Sequence, residues 1–342
     1  MSAAAALASA MGRDSRLLIG LGTNNPISAI QEQGLQIDFY DRYLPSIGGD
    51  SWINYNSPEG EYVNIVTALA DSVGAIPMFT LYQMADNGDG NIEGLLSSAS
   101  QMDRYWRHTE LLFDLLGAYD KPAIVNLEPD FWSYVALYTD SQPTAMFAQV
   151  DIADDCADLP NDVTGVGRCL LAIARARAPK AFVGFPPASF GQTDEEVISL
   201  MNAVGAAEGD FMIQQTLDRD AGCFEADGPG CGRSVDNPYW DDAAFERHLA
   251  QTRIWQQGIG RLPVLWWQTP MGVPSPNPGG SFERYRDNRV DYFLRNPERL
   301  VQAGGVGVVF AAGANGQTTI TSDDGQFRDL LETYLADPVP LP

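Results

Sequence analysis

Eight short apolar runs recur along this chain, and longer amphipathic stretches separate them. The runs are Leu17–Leu21, Ile37–Tyr43, Ile76–Tyr82, Ala123–Leu127, Ala181–Phe185, Phe211–Thr216, Pro263–Trp267 and Gly305–Phe310. Helical patterns fall over Tyr62–Ser72, Met102–Tyr119, Val163–Ala176, Asp194–Ala207, Asp241–Gln257, Arg286–Gln302 and Gly325–Leu335. Strands that are apolar on both faces and alternate with helices predict a parallel sheet covered by helices. Eight such units predict a closed α/β architecture, the (β/α)8 TIM barrel. The rival is a doubly wound open sheet. No G-x-G-x-x-G follows the first strand, so the dinucleotide-binding form of that rival loses support. A chain of 342 residues fits one such barrel. We expect an N-terminal extension over 1–16 and a single barrel domain over 17–338. Loop-like stretches at Asp140–Asn161 and Ala221–Tyr239 read as insertions after strands four and six.

Charge narrows the partners. Only 21 Lys and Arg oppose 45 Asp and Glu, for a formal net charge of -24. Binding nucleic acid needs a basic face that releases counterions, so no nucleic-acid partner is expected. The same field disfavours anionic membranes, and no run is long enough to cross a bilayer. Met1–Met11 is Ala-rich but lacks a basic start and a long apolar core, so it does not read as a signal peptide. Cys156 and Cys169 lie 13 apart and Cys223 and Cys231 lie 8 apart, in loop-like sequence without C-x-x-C spacing. Two local disulfides are expected, and with them an oxidising, secreted or periplasmic location.

In such barrels chemistry collects at the C-terminal ends of the strands. Strand two carries Asp38, Asp41 and Arg42; strand three is followed by Tyr82, Gln83 and Asp86. Strand four runs into Asn126-Leu127-Glu128-Pro129-Asp130-Phe131-Trp132, and strand six into Gln214-Gln215-Thr216-Leu217-Asp218-Arg219-Asp220. Strand seven ends in Trp266-Trp267-Gln268, and Gly313-Ala314-Asn315 follows strand eight. Acids, amides and aromatics at each end are the set a sugar site needs: proton transfer, hydroxyl recognition and flat faces for the C–H side of a ring.

Glu128 stands out because a carboxylate ending an apolar strand is costly without a role or a partner. A structural pairing with Arg219 or Arg42 is the alternative. Asp218 and Asp220 flank Arg219, an arrangement that can split carboxylate pKa values, as glycoside hydrolysis requires. An ordinary surface Asp–Arg pair is the alternative there, and for Asp41 beside Arg42. His108 and His248 are the only histidines, both inside helical patterns, which argues against a Ser-His-Asp triad or His-bound zinc. The segment Ala85–Ile92 looks like the middle of a calcium loop but has Ala at the first ligand position. No metal or other cofactor is expected.

Asn126-Leu127-Glu128-Pro129 is similar to the N-E-P element that ends strand four in many retaining (β/α)8 glycoside hydrolases, with one residue inserted. In that group a second Glu ends strand seven as nucleophile. Here Gln268 stands there, so the two-Glu assignment does not carry over. Glu128-Pro129-Asp130 also resembles the E-P-D of some inverting cellulase-type barrels. A wider resemblance is to secreted bacterial proteins of the glycoside hydrolase superfamily with E-P-D-x-W, D-R-D-A, W-Q-x-P-x-G and Y-x-D-N-R elements. These read here Glu128–Trp132, Asp218–Ala221, Trp267–Gly272 and Tyr285–Arg289.

The resulting expectation is a secreted, monomeric glycoside hydrolase acting on a carbohydrate substrate. Glu128 is the expected general acid, Asp218 or Asp220 the base or nucleophile, and Asp41 the third choice. Trp132, Trp266, Trp267 and Tyr82 are expected to shape sugar subsites; Asn126, Asp130, Gln214, Gln268 and Asn315 are expected to bind substrate. A catalytically silent glycan-binding barrel, and a lyase or metal-dependent hydrolase, are the alternatives.

Overall fold

The computed structural model describes the chain except residues 85–89, 229, 233–234 and 275–279. Eight parallel strands close into one barrel, which excludes the open sheet. They are β1 (Leu18–Leu21), β2 (Phe39–Pro45), β3 (Ile76–Tyr82), β4 (Ala123–Leu127), β5 (Ala181–Phe185), β6 (Phe211–Gln215), β7 (Val264–Thr269) and β8 (Gly305–Phe310). Closure comes from β1 pairing with β8, in register from Leu18 with Gly307 to Leu21 with Phe310.

The side-chain period of two sorts each strand into an inner and an outer face. Outward residues such as Phe79, Val125, Val183, Trp266 and Phe310 join the helices in the larger core. Inward residues such as Phe39, Ile76, Met78, Ile124, Phe211 and Ile213 fill the barrel. The inner face changes character along the strands. On β2 it passes from Phe39 to Asp41 and Tyr43, on β3 from Met78 to Thr80 and Tyr82, and on β4 from Ile124 to Asn126. The lower barrel is therefore a packed apolar plug, and the upper barrel is polar.

The bottom is closed by the first residues of the chain. Ala3–Ala10 is helical, with the Ser2 hydroxyl capping the amide of Ala5. Its Ala4, Ala5, Leu7, Ala8 and Met11 pack into the same core as Leu18, Phe39 and Val306. Small side chains let this helix approach the strand ends closely.

The helices follow the sequence pattern with one instructive difference. The run Arg286–Gln302 is two helices, Arg289–Arg295 and Pro297–Gln302. Pro297 has no N–H for a continuous ladder and sits where a new helix begins. Both disulfides are present. Cys156–Cys169 ties a loop to the helix Val163–Arg177, and Cys223–Cys231 staples the excursion after β6. Among the described residues no helix is long and apolar enough to cross a membrane.

Candidate active site

A cleft of about 500 Å³ opens at the C-terminal end of the barrel. Tyr43 and Tyr82 come from β2 and β3, Asp130 from the β4 turn, Gln214 through Arg219 from β6, and Trp267 and Gln268 from β7. Among the described residues two carboxylates face it, Asp130 and Asp218. Asp130 has a φ of 66° and accepts a hydrogen bond from the Tyr82 hydroxyl at 3.1 Å. Asp218 is ion-paired with Arg219 at 3.0 Å.

Beneath the cleft a chain of hydrogen bonds crosses the barrel mouth. The Gln215 amide donates to Gln268 Oε1, and the Gln268 amide donates to the Tyr43 hydroxyl. Burial, with the Asp41 carboxylate next in effect, raises the Tyr43 phenol well above its usual range. The tyrosine therefore stays neutral and keeps its proton. One layer lower, Asp41 is fully buried and accepts from Thr80 Oγ1 and Trp267 Nε1, both at 3.0 Å. Desolvation pushes Asp41 up to about 6, and its two donors only partly offset this. Asp41 reaches the cleft through Trp267, whose ring it fixes.

Glu128 is also fully buried, but behind the cleft wall. Its φ is 56°, a left-handed turn that breaks the alternation continuing from Asn126. Its Oε2 accepts the backbone amides of Gln83 and Met84, both at 2.9 Å. The Tyr105 phenol, on the outer helix Ala99–Tyr119, is raised by burial and then by the Glu128 charge. The carboxylate thus points outward, toward the backbone that follows β3 and the Tyr105 phenol. The hydrogen bonds of Arg42 and Arg219 go elsewhere: Arg42 bonds carbonyls and Tyr40, and Arg219 bonds Asp218.

Asp220 lies away from the cleft. Its Oδ2 accepts from the Thr318 amide at 2.6 Å, and Asp287 beside it pairs with Arg289 at 2.7 Å. Desolvation, and after it the Asp287 charge, raises Asp220. Ala221 N donates to Asp287 Oδ2 at 2.7 Å. This buried cluster fastens the chain after β6 to the chains after β7 and β8.

The tryptophans separate by strand face. Trp267 points into the barrel and borders the cleft. Trp266 points outward, its indole donating to His248 at 2.9 Å. Trp132 is buried against Phe131 and Phe185, with its indole donating to the Leu127 carbonyl at 2.9 Å. Neither Trp132 nor Trp266 presents a face to the cleft. Asn126 lies inside the barrel near Thr80, 3.5 Å from its hydroxyl. Asn315 is exposed and does not line the cleft. Gln214 and Gln268 both line it. Asp86 lies outside the described residues, as does most of the calcium-like segment. Among the described residues no group of three His, Cys, Asp or Glu is arranged to hold a metal.

The cleft also contains Tyr43 and Gln215, strand-end residues to which the sequence assigned no role, and Tyr134, Phe190 and Trp255, which lie outside the strand ends. Tyr43 and Gln215 are in phase with Asp41 and Ile213 on the inner face. That periodicity could have identified them.

No family model matches the sequence, and no curated protein matches it. Solved structures do. A Cellulomonas fimi endo-beta-1,4-mannanase double mutant is 12% identical, covers 98% of this chain and 75% of its own, and has a TM-score of 0.60. An endoglucanase from the hyperthermophilic Thermotoga maritima is 11% identical over 94% of this chain and 98% of its own, with a TM-score of 0.55. The virulence factor SghA from Agrobacterium tumefaciens is 13% identical over 96% and 98%, with a TM-score of 0.52. This chain has the (β/α)8 barrel fold that these structures have.

Proposed function

We propose that this protein is a secreted glycoside hydrolase whose reacting carboxylates are Asp130 and Asp218. The observation that carries the reading is their common position on the walls of one cleft, above a floor of Tyr43, Trp267 and Gln268. Hydrolysis of a glycosidic bond needs one carboxyl to protonate the leaving oxygen and another to attack or to activate water. Asp130, held by the Tyr82 hydroxyl, is assigned the acid. Asp218, beside Arg219, is assigned the base or nucleophile. Tyr43 and the amides of Gln214 and Gln268 suit sugar hydroxyls.

Glu128 takes a positioning role in this scheme in place of the acid role that its sequence context suggested. It binds the backbone after Tyr82 and so sets the tyrosine that holds Asp130. Asp41 likewise positions Trp267. The names of the structural neighbours, a β-1,4-mannanase and an endoglucanase, favour a β-1,4-linked glycan as substrate. Two disulfides fit an oxidising compartment, which supports secretion.

A second reading has an observation of its own. At the end of β7 the cleft carries Gln268, and both ends of its amide are engaged by Gln215 and Tyr43. An amide cannot attack or transfer a proton as a carboxylate does, so a barrel that binds glycan without cleaving it is the alternative. Product analysis on β-1,4-mannan and β-1,4-glucan separates the two. Release of oligosaccharides that Asp218→Asn abolishes supports hydrolysis; binding without products supports the silent barrel.

A further inference from the structure

One wall of the cleft continues onto the surface as a run of aromatic rings. The helix Phe131–Thr139 follows β4, and its Tyr134 and Tyr138 stand four residues apart, so they share a face. Their rings stack with centroids 6.1 Å apart and planes 22° apart. Phe190, from the loop after β5, meets Tyr134 edge-on at 5.2 Å. Tyr134 and Phe190 also line the cleft. Tyr138 lies beyond it and is 46% exposed; Phe190 is 45% exposed. Contiguous exposed aromatics beside a cleft mark a binding surface more often than chance exposure does.

The ridge is fixed in place. The Phe190 amide donates to Gln192 Oε1 at 2.8 Å, and the Ser189 hydroxyl donates to the Gln192 carbonyl at 2.7 Å. Gly90, with a φ of 82°, passes directly beneath the Tyr138 hydroxyl, where a side chain would collide. Across the cleft, Gln214 is 4% exposed, and its Oε1 has no hydrogen-bond partner among the described residues. A buried acceptor left without a donor is costly, and it faces the same opening as the ridge.

We propose that the Tyr134–Phe190–Tyr138 ridge is a binding platform for an extended β-1,4-linked hexopyranose chain whose reacting end lies over Asp130 and Asp218. The rings take the C–H faces of successive sugars outside the cleft, and Gln214 Oε1 accepts from a sugar hydroxyl inside it. A disaccharide fills the cleft without reaching Tyr138; a longer chain reaches both. The inference builds on the glycan reading of the cleft, but it does not need hydrolysis.

The test is calorimetric binding of cellobiose, cellohexaose, mannobiose and mannohexaose to the full chain. For at least one sugar the hexasaccharide should bind the parent about tenfold tighter than the disaccharide, since stacking on aromatic rings contributes substantially to contact. Tyr138→Ala should lower that ratio at least threefold; Phe190→Ala, whose ring lines the cleft and meets both lengths, should weaken both, and Phe190→Trp should weaken neither. Both residues are half exposed, so melting near the parent temperature is expected and is the control for folding. If a hexasaccharide shows this length dependence but is never cleaved, the platform stands and the hydrolase assignment falls. Equal affinity for both lengths overturns the platform, as does an equal loss for both lengths in Tyr138→Ala. Binding of neither hexasaccharide overturns it too. A change of oligomeric state in Tyr138→Ala by sedimentation, without a change in the ratio, would make the ridge a self-association face instead.

Discussion

The indole N–H of Trp267 donates to Asp41 Oδ2 at 3.0 Å inside the barrel. This contact joins a buried carboxylate to the floor of the cleft and gives the protein a titratable element there. Desolvation is the main cause of the rise in Asp41 from 3.8 to about 6. A folded-state pKa above the unfolded value means that ionisation costs stability. The full contribution is present below the unfolded pKa and is lost as pH rises through the folded one, a window from about pH 4 to 6. The rise of about 2 units corresponds to roughly 3 kcal/mol at most. Urea unfolding of the parent and Asp41→Asn should therefore show the parent gaining on the variant as pH falls from 7 to 4. A constant difference across that range contradicts a raised Asp41.

Glu128 is predicted to matter for stability more than for proton transfer. Its Oε2 satisfies the amides of Gln83 and Met84. Glu128→Ala leaves both buried, at about 1–3 kcal/mol for each unmet donor. Glu128→Gln keeps an acceptor for them and should stay much closer to the parent in denaturant midpoint. A Glu128→Gln variant that melts with the parent yet loses hydrolysis by about 10²–10⁴-fold would return Glu128 to the role of acid.

The Asp287–Arg289 pair should be among the most sensitive buried sites. Both side chains are almost wholly removed from solvent, with Nη1 to Oδ2 at 2.7 Å. Asp287→Ala strands a buried guanidinium and frees the Ala221 amide. A loss of about 3–5 kcal/mol is expected, read as a lower denaturant midpoint. A loss below about 1 kcal/mol would mean that the site rehydrates and that the clasp is incidental.

Non-reducing peptide mapping should recover Cys156 with Cys169 and Cys223 with Cys231. Replacing Cys223 and Cys231 together by Ser should cost at most about 2–3 kcal/mol, because the closed loop is short. Free thiols at these positions in protein purified without reductant would contradict the pairing.

The barrel was legible because strand and helix periods differ and each β/α unit repeats both. β3, β4, β5 and β8 fall on the runs Ile76–Tyr82, Ala123–Leu127, Ala181–Phe185 and Gly305–Phe310. β2 begins two residues later than its apolar run, because Asp38 turns aside to pair with Arg16 and to accept the Ile19 amide. The cleft was less legible, since it depends on which way single residues point. Alternation from Asn126 directs Glu128 inward, and the positive φ at Glu128 reverses it. Trp266 and Trp267 are adjacent and both buried, so composition cannot tell the core ring from the cleft ring; only the phase of β7 does. Tyr134 and Phe190 meet across two connections, and nothing in their own segments announces the contact.

Asp130 and Asp218 are the proposed reacting pair. The most direct measurement is the initial rate of oligosaccharide release from β-1,4-mannan and β-1,4-glucan by the parent, Asp130→Asn and Asp218→Asn, with melting temperatures alongside. The parent should cleave at least one polymer. Each variant should fall by about 10²–10⁴-fold, with melting close to the parent and glycan binding retained. No cleavage of either polymer by the parent, or parent-like rates in both folded variants, would contradict that assignment.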